Sequence, residues 1–327
     1  MIELISATVL ATVQDQGRFG SLRFGVGSSG AMDQLALAAG NLLLGNAATD
    51  AAVELQVFPM QWRFHADMRF ALTGADTRAT LNGRPLPPWW VSQATRGDCL
   101  NLGRAVSGSR AYLCLPGGID VPTVLGSRST QLRGSFGGVD GRFLRQGDRL
   151  LANRRDDTGC VDIGVVPPVC SMPLGEPGLT TVRVLPASEY GCYNRASQAA
   201  FWAGDWKITS QSDRYGYRLA GEPLLPKTPL EVRSHGIVPG VIQVPPDGQP
   251  IIQMRDAQPT GGYPKFGTVI EADLWRLGQA PIGTRLRFVE VTYDEAVAAL
   301  ADNRRWLQTV KRLVGVWAGR SGPAHEN

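Results

Sequence analysis

Glycine and proline interrupt this chain so often that a helical architecture is closed to it. Together they occupy 61 of 327 positions, about a fifth, where an average globular chain has roughly 12%. Inside a helix, glycine costs about 1 kcal/mol and proline about 3 kcal/mol relative to alanine. A chain punctuated this way folds through many turns and therefore many short strands. The turn signals cluster at Asn82-Gly83, Arg96-Gly97-Asp98, Pro116-Gly117-Gly118 and Gly147-Asp148. Between them, alternating apolar stretches predict strands at 69–73, 78–82, 99–103 and 110–115. Later strands are predicted around 181–186, 206–210, 229–233, 240–244, 250–254 and 284–292. The residue pattern predicts helices at 33–46, 194–203, 268–278 and 292–317, with Asp33 as an N-cap and a Thr292–Glu295 capping box.

The predicted fold class is thus mainly β with a few helices. A polar, proline-containing stretch at 153–178 is the linker candidate. It divides the chain into an N-terminal β domain (1–155), a linker (156–180), a C-terminal β domain (181–292), and a C-terminal helix with a polar tail (293–327). Both halves share a plan, β-rich with a helix laid across.

Composition then excludes several functions. The net charge is +4, with 33 Lys+Arg against 29 Asp+Glu, and no Lys/Arg run exceeds two residues, which argues against nucleic-acid binding by a broad basic surface. The longest uncharged stretch, 34–49, is broken by Asn and Gly and falls short of the roughly 20 apolar residues of a membrane span. Glu3 and the lack of a basic leader argue against a secretory signal. Five cysteines without CxxC spacing argue against a disulfide framework or zinc ribbon, and place the chain in a reducing cytoplasm. Of three histidines, His325 lies in the tail and His65 at a half-buried strand position. His235 alone sits among candidate functional residues, so no metal-ligating set is predicted.

Walker, dinucleotide, HExxH, GxSxG and EF-hand signatures are absent. What remains are Gly-rich polar segments. In 12–33, Asp15 and Arg18 flank a glycine, and Ser29 precedes a helix start suited to an anion; a turn plus an N-cap accounts for the same residues. In 116–130, Ser127 and Arg128 sit in a Gly-Ser-Arg-Ser-Thr loop able to hold a carboxylate or phosphate, or equally an ordinary polar loop. The richest segment, 234–265, holds His235, Gln243, Asp247, Gln249, Asp256, Gln258, Thr260, Gly261, Gly262, Tyr263 and Lys265. Pro246-Asp247-Gly248 marks a hairpin turn, which does not explain the polar residues on both sides. Lys265, one of four lysines, ends the Gly-Gly-Tyr-Pro loop, where amides and an ammonium can hold an anion. In 212–219, Arg214 offers a carboxylate-binding guanidinium or an exposed ion pair.

Taken in order, TVQDQGR, SGAMD, GGIDVP, GSRST, SDRYGYRL, VPPDGQP, TGGYPK and VIEADL resemble the KipA-type, urea-amidolyase-like carboxyltransferase family, from about residue 3 to 292. NRASQAAFW and Ser234-His235-Gly236 are most similar to the branch that supplies the C subunit of ATP-dependent 5-oxoprolinase; many relatives are acidic at position 235. The resemblance implies two cyclophilin-like β-barrel domains, together with two partners, one KipI-like and one of the lactam-utilisation type. It also implies ATP with Mg²⁺, and opening of 5-oxoproline to glutamate through a phosphorylated lactam. In that reaction Lys265 with Gly261 and Gly262 would meet phosphate and Arg128 or Arg214 the substrate carboxylate. Asp247, Asp256 or His235 would move protons. Two alternatives belong to the same resemblance: a biotin-dependent carboxyltransferase half-site, with biotin carried on another chain, and a non-catalytic regulatory protein of the KipA type. The chain departs from the family pattern at Pro259, where a threonine is usual, and proline removes a hydroxyl and a backbone donor there.

Overall fold

The computed structural model describes residues 1–7, 10–56, 59–154, 160–168 and 178–320. Most of the predicted linker 156–180, together with Cys170 and the tail that carries His325, lies outside the described residues. The chain divides into two compact units. One takes Met1–Arg18, Asp33–Val169 and Asn303–Asn327; the other takes Phe19–Met32 and Cys170–Asp302.

The first unit carries two antiparallel sheets. In the six-stranded sheet, Arg149–Leu150, Ile2–Ala7, Met60–Phe64, Cys99–Leu102, Thr80–Leu81 and Arg84–Pro85 lie side by side in that order. The five-stranded sheet runs Leu10–Gln14, Ala52–Gln56, Ser107–Cys114, Met68–Asp76 and Trp90–Ala94. Alternation turns Leu4, Trp62, Phe64, Phe70, Leu100 and Leu113 into one core. Helix α1 (Gln34–Leu43) packs on the strands at 68–76 and 107–114. Asp33 caps it, accepting from the Ala36 amide at 2.9 Å. Gly40 allows the close approach, because a Cβ there would lie 2.7 Å from Cys114 Sγ. The predicted strand position of His65 proves to be the bend after Met60–Phe64, where its Nε2 lies 2.6 Å from Glu3 Oε2.

The second unit is a closed barrel. Its order is Leu179–Pro186, Lys265–Val269, Val241–Gln243, Ile251–Gln253, Gly216–Ala220, Trp206–Ile208 and Arg285–Glu290. All neighbours are antiparallel except the closing pair, 179–184 with 285–290. A parallel pair needs a long connection, and here the whole domain is that connection. Helix α2 (Arg195–Ala203), capped by Asn194, presses Phe201 into the barrel against Phe288 at 4.5 Å and Phe266 at 4.4 Å between ring centroids. The predicted turn at 246–248 does link two barrel strands, with Ile242 opposite Ile252.

Two expected elements differ. The helix expected at 268–278 shortens to α3 (Leu274–Gln279), because Lys265–Val269 completes a barrel strand and Asp273 turns back onto Arg183. No strand forms at 229–233; Pro229 denies its start a ladder donor, and the segment lines a cavity instead. Helix α4 (Tyr293–Arg320) begins at the predicted capping box, with the Thr292 amide and hydroxyl both donating to Glu295. No helix among the described residues is long and apolar enough to cross a membrane.

Replacing Phe201 with alanine removes the centre of the barrel's aromatic cluster, and we expect a loss of about 3–5 kcal/mol, read as a lowered urea midpoint with an unchanged transition slope.

Candidate functional site

The loop 126–130 is organised by a buried carboxylate. Asp15 accepts from the hydroxyls of Ser127 (2.7 Å) and Ser129 (2.5 Å), the Arg128 amide (2.6 Å) and the Gly17 amide (2.8 Å). Arg18, 1% exposed, donates to the carbonyls of Val124 and Ser129 and lies 4.8 Å over the Phe136 ring. The Arg128 Nε–H donates to the Val121 carbonyl. Asp15 and Ser127, with Arg18 Nε and Nη2 and Arg128 Nε, are thus engaged in holding the loop itself. Ser29 belongs to the second unit. It is buried at φ 51°, and its hydroxyl has no hydrogen-bond partner among the described residues.

Arg214 is similarly committed. Its guanidinium grips Asp256 in a two-point pair at 2.9 and 3.1 Å and donates to the Gly30 carbonyl at 2.7 Å, with both side chains buried. The two side chains are committed first to each other. Asp247 and Gln249 sit at the other end of the strand Ile251–Gln253. Asp247 accepts from the Gln249 amide, while the Gln249 carboxamide clamps the Gly221 backbone. Asp247, Asp256 and His235 are thus not brought together, and no group of three His, Cys, Asp or Glu suited to a metal occurs among the described residues.

The remaining residues of the 234–265 segment do converge. Strand alternation turns Ile242, Ile252, Tyr217 and Leu219 into the barrel core. Their neighbours Gln243, Gln253, Ile251 and Arg218 consequently face the outer wall. There they line a cavity of about 400 Å³ with Asp213, Tyr215, Gln258, Gly261, Gly262 and Tyr263. Its floor is a ladder of carboxamides: Gln253 Nε2 donates to Gln243 Oε1 at 3.0 Å, and Gln243 Nε2 donates to the Tyr263 carbonyl at 3.2 Å. Its roof is the Gly261-Gly262 corner, where Thr260–Gly261 pairs antiparallel with the distant strand His235–Gly236. Gly261 is required by packing, since a Cβ there would lie 2.6 Å from Gln243 Nε2. Pro259 keeps a role through its carbonyl, which accepts from the Ile237 amide at 2.9 Å. Tyr215 completes the rim, its hydroxyl donating to Gln258 Oε1 at 2.6 Å.

Lys265 stands beside this roof, its Nζ 3.9 Å from Glu189 Oε2, and its amide donates to the same oxygen at 3.0 Å. Partial burial pushes the Glu189 carboxyl up. The Ser188 hydroxyl, the Lys265 amide and the charges of Lys265 and His235 outweigh that effect and hold it below its ordinary value. His235 Nδ1 lies 2.9 Å from the Arg233 carbonyl, which can only accept, so Nδ1 carries the proton. Nε2 is left buried and without a partner among the described residues. The Gly262-Tyr263 corner also borders a second cavity of about 560 Å³, walled by Tyr193, Glu231 and several prolines.

A model of the carboxyltransferase domain, subdomains A and B, matches residues 24–290. The chain belongs to this family. It is 43% identical over 314 residues to the 5-oxoprolinase C subunit of Haemophilus influenzae, covering 96% of this chain and 99% of that protein. Against the 5-oxoprolinase C subunit of Escherichia coli K12 the identity is 42% over 308 residues, covering 94% and 97%. The solved K. lactis urea amidolyase superposes with a TM-score of 0.86 at 28% identity, over 94% of this chain but only 20% of that one.

Glu189, Arg218, Gln253 and Tyr215 escaped the sequence reading as site residues. For Gln253 a signal existed: it repeats, on the paired strand, the outward polar position of Gln243. Glu189 carried none, since only barrel closure places it beside Lys265.

Two outcomes follow from this geometry. Asp15→Ala strands two buried hydroxyls and two amides and should destabilise the chain by roughly 2–4 kcal/mol, measurable by denaturant unfolding. Glu189, held below its ordinary 4.5, stabilises the fold above about that pH and loses this contribution as pH falls through its folded value. The melting temperature of Glu189→Gln should therefore fall less steeply than wild type between neutral pH and the acid range.

Proposed function

We propose that this chain is the C subunit of an ATP-dependent 5-oxoprolinase, a cytoplasmic hydrolase that opens 5-oxoproline to glutamate. It would act together with two partner chains, one KipI-like and one of the lactam-utilisation type. The observation that carries the reading is end-to-end likeness: two proteins named as 5-oxoprolinase C subunits match this chain over nearly their whole length. The urea amidolyase match is weaker in identity and covers a fifth of a much longer chain.

A five-membered lactam resists water because attack must break amide resonance. ATP, bound with Mg²⁺, supplies the phosphoryl group that turns the amide oxygen into a leaving group. On this chain the residues suited to the charge that develops are few. Lys265 is the cation beside the pocket roof, and its ammonium is already partly balanced by Glu189. His235 is held beside Gly261 by the strand pair, and its buried Nε2, without a partner among the described residues, is the base this reading assigns to proton transfer. The described residues form no cluster for a magnesium ion, so no step is assigned to the metal here. Arg214 is paired with Asp256 and is given no step in this reading.

The test is reconstitution of the three-chain complex and assay of glutamate release from 5-oxoproline with and without ATP. We expect strict ATP dependence, and a fall in kcat of about 100-fold or more on Lys265→Ala or His235→Ala, in the range of general acid–base effects. Turnover that instead requires a biotinylated carrier would replace this reading with the carboxyltransferase one.

A further inference from the structure

The pocket on the barrel's outer wall is built from polar groups whose directions are set. Gln243 and Gln253 are 2% and 5% exposed, so neither is a surface side chain that happens to border a hollow. Gln253 gives one N–H to Gln243 Oε1, and Gln243 gives one to the Tyr263 carbonyl. This direction of donation leaves Gln253 with its own Oε1 and its second N–H. Among the described residues neither is engaged. An acceptor and a donor on one planar carboxamide form a two-point template.

Arg218 stands on the neighbouring strand. The register pairs it with Ile251, so Gln253 is its diagonal neighbour on the same face, at a Cβ separation of roughly 7–8 Å. Arg218 is exposed, borders the pocket, and has no ion-pair partner among the described residues. The Asp213 carboxylate on the same rim is turned to the amides of Tyr215 and Gly216. A guanidinium fork without a carboxylate of its own is suited to one brought by a ligand.

We propose that this pocket is the lactam-carboxylate subsite: Gln253 pairs with the ring amide, Arg218 holds the carboxylate, and Gln243 fixes the Gln253 carboxamide. The assignment rests on the 5-oxoprolinase reading for the identity of the ligand and on the geometry for its place. A five-membered lactam is locked as a cis amide, so its N–H and C=O lie on one edge and meet a carboxamide's acceptor and donor together. Open-chain secondary amides are trans and present only one of the two to the same carboxamide. The pocket therefore discriminates a cyclic amide from a peptide by hydrogen-bond pattern rather than by size. Its volume of about 400 Å³ lies at the small end of ligand sites.

The test uses the reconstituted complex, with 5-oxoproline as substrate and 2-pyrrolidinone, which lacks the carboxylate, as a competing probe. Arg218→Ala, an exposed change that leaves the core intact, should raise KM for 5-oxoproline about tenfold or more, with kcat within about twofold and the inhibition constant of 2-pyrrolidinone unchanged. Gln253→Glu, nearly isosteric, should weaken 5-oxoproline and 2-pyrrolidinone alike. Wild-type KM values in both variants of an active complex would overturn the subsite and leave the proposed function standing. If the wild-type complex releases no glutamate, the function fails instead. Ligand-detected NMR of 5-oxoproline with the full chain then decides the pocket: line broadening lost in Arg218→Ala keeps it, and no broadening with wild type overturns it.

Discussion

Strand alternation in the closed barrel is the constraint on which the candidate site depends. Because successive residues point to opposite faces, the burial of Ile242, Ile252 and Tyr217 obliges Gln243, Gln253 and Arg218 to face outward. A slip of one residue would turn two carboxamides and a guanidinium into the apolar barrel interior and expose the core. The aromatic packing around Phe201 therefore sets where the polar groups stand. The roof depends on the same register, since Gln243 lies opposite Lys265 and beneath Gly261.

Buried charge in this protein serves mainly to shape loops. Asp15 gathers hydroxyls and amides, Arg214 grips Asp256, and Arg183 grips Asp273. Removing one partner from such a pair costs more than the pair contributes, because the other is left desolvated and unmatched. These residues are thus expected to be sensitive to mutation without touching a ligand. Arg18, Arg214 and Asp256 carry conspicuous charges, yet the two exposed charges at the cavity rim, Arg218 and Asp213, differ in the way that matters: Asp213 has backbone partners and the Arg218 side chain has no ion-pair partner among the described residues.

Much of the fold was legible. Turn pairs and alternation located most strands, Asn82-Gly83 and Pro246-Asp247-Gly248 fell at hairpins, and Asp33 and the Thr292–Glu295 box began helices as their chemistry requires. The misreadings have physical causes. At 268–278 the helical pattern of apolar residues was overruled by barrel closure, and at 229–233 Pro229 removed a donor that an alternating stretch would have needed. Among candidate site residues, Gln243, Gly261, Gly262 and Tyr263 meet at one cavity, whereas Asp15, Ser127 and Arg128 meet one another.

By itself the sequence determined that the chain is mainly β, that the segment 234–265 holds more polar residues than its turn explains, and that the chain carries the motifs of the carboxyltransferase-domain family. Those properties are local, set by backbone preference, side-chain period and short spacings. Only the tertiary structure decided which polar residues are consumed internally and which remain available. A hydrogen bond or an ion pair between residues far apart in the chain, such as Asp15 with Ser129 or Arg214 with Asp256, leaves no trace in local pattern. Whether a guanidinium already has a partner is settled only when the barrel closes.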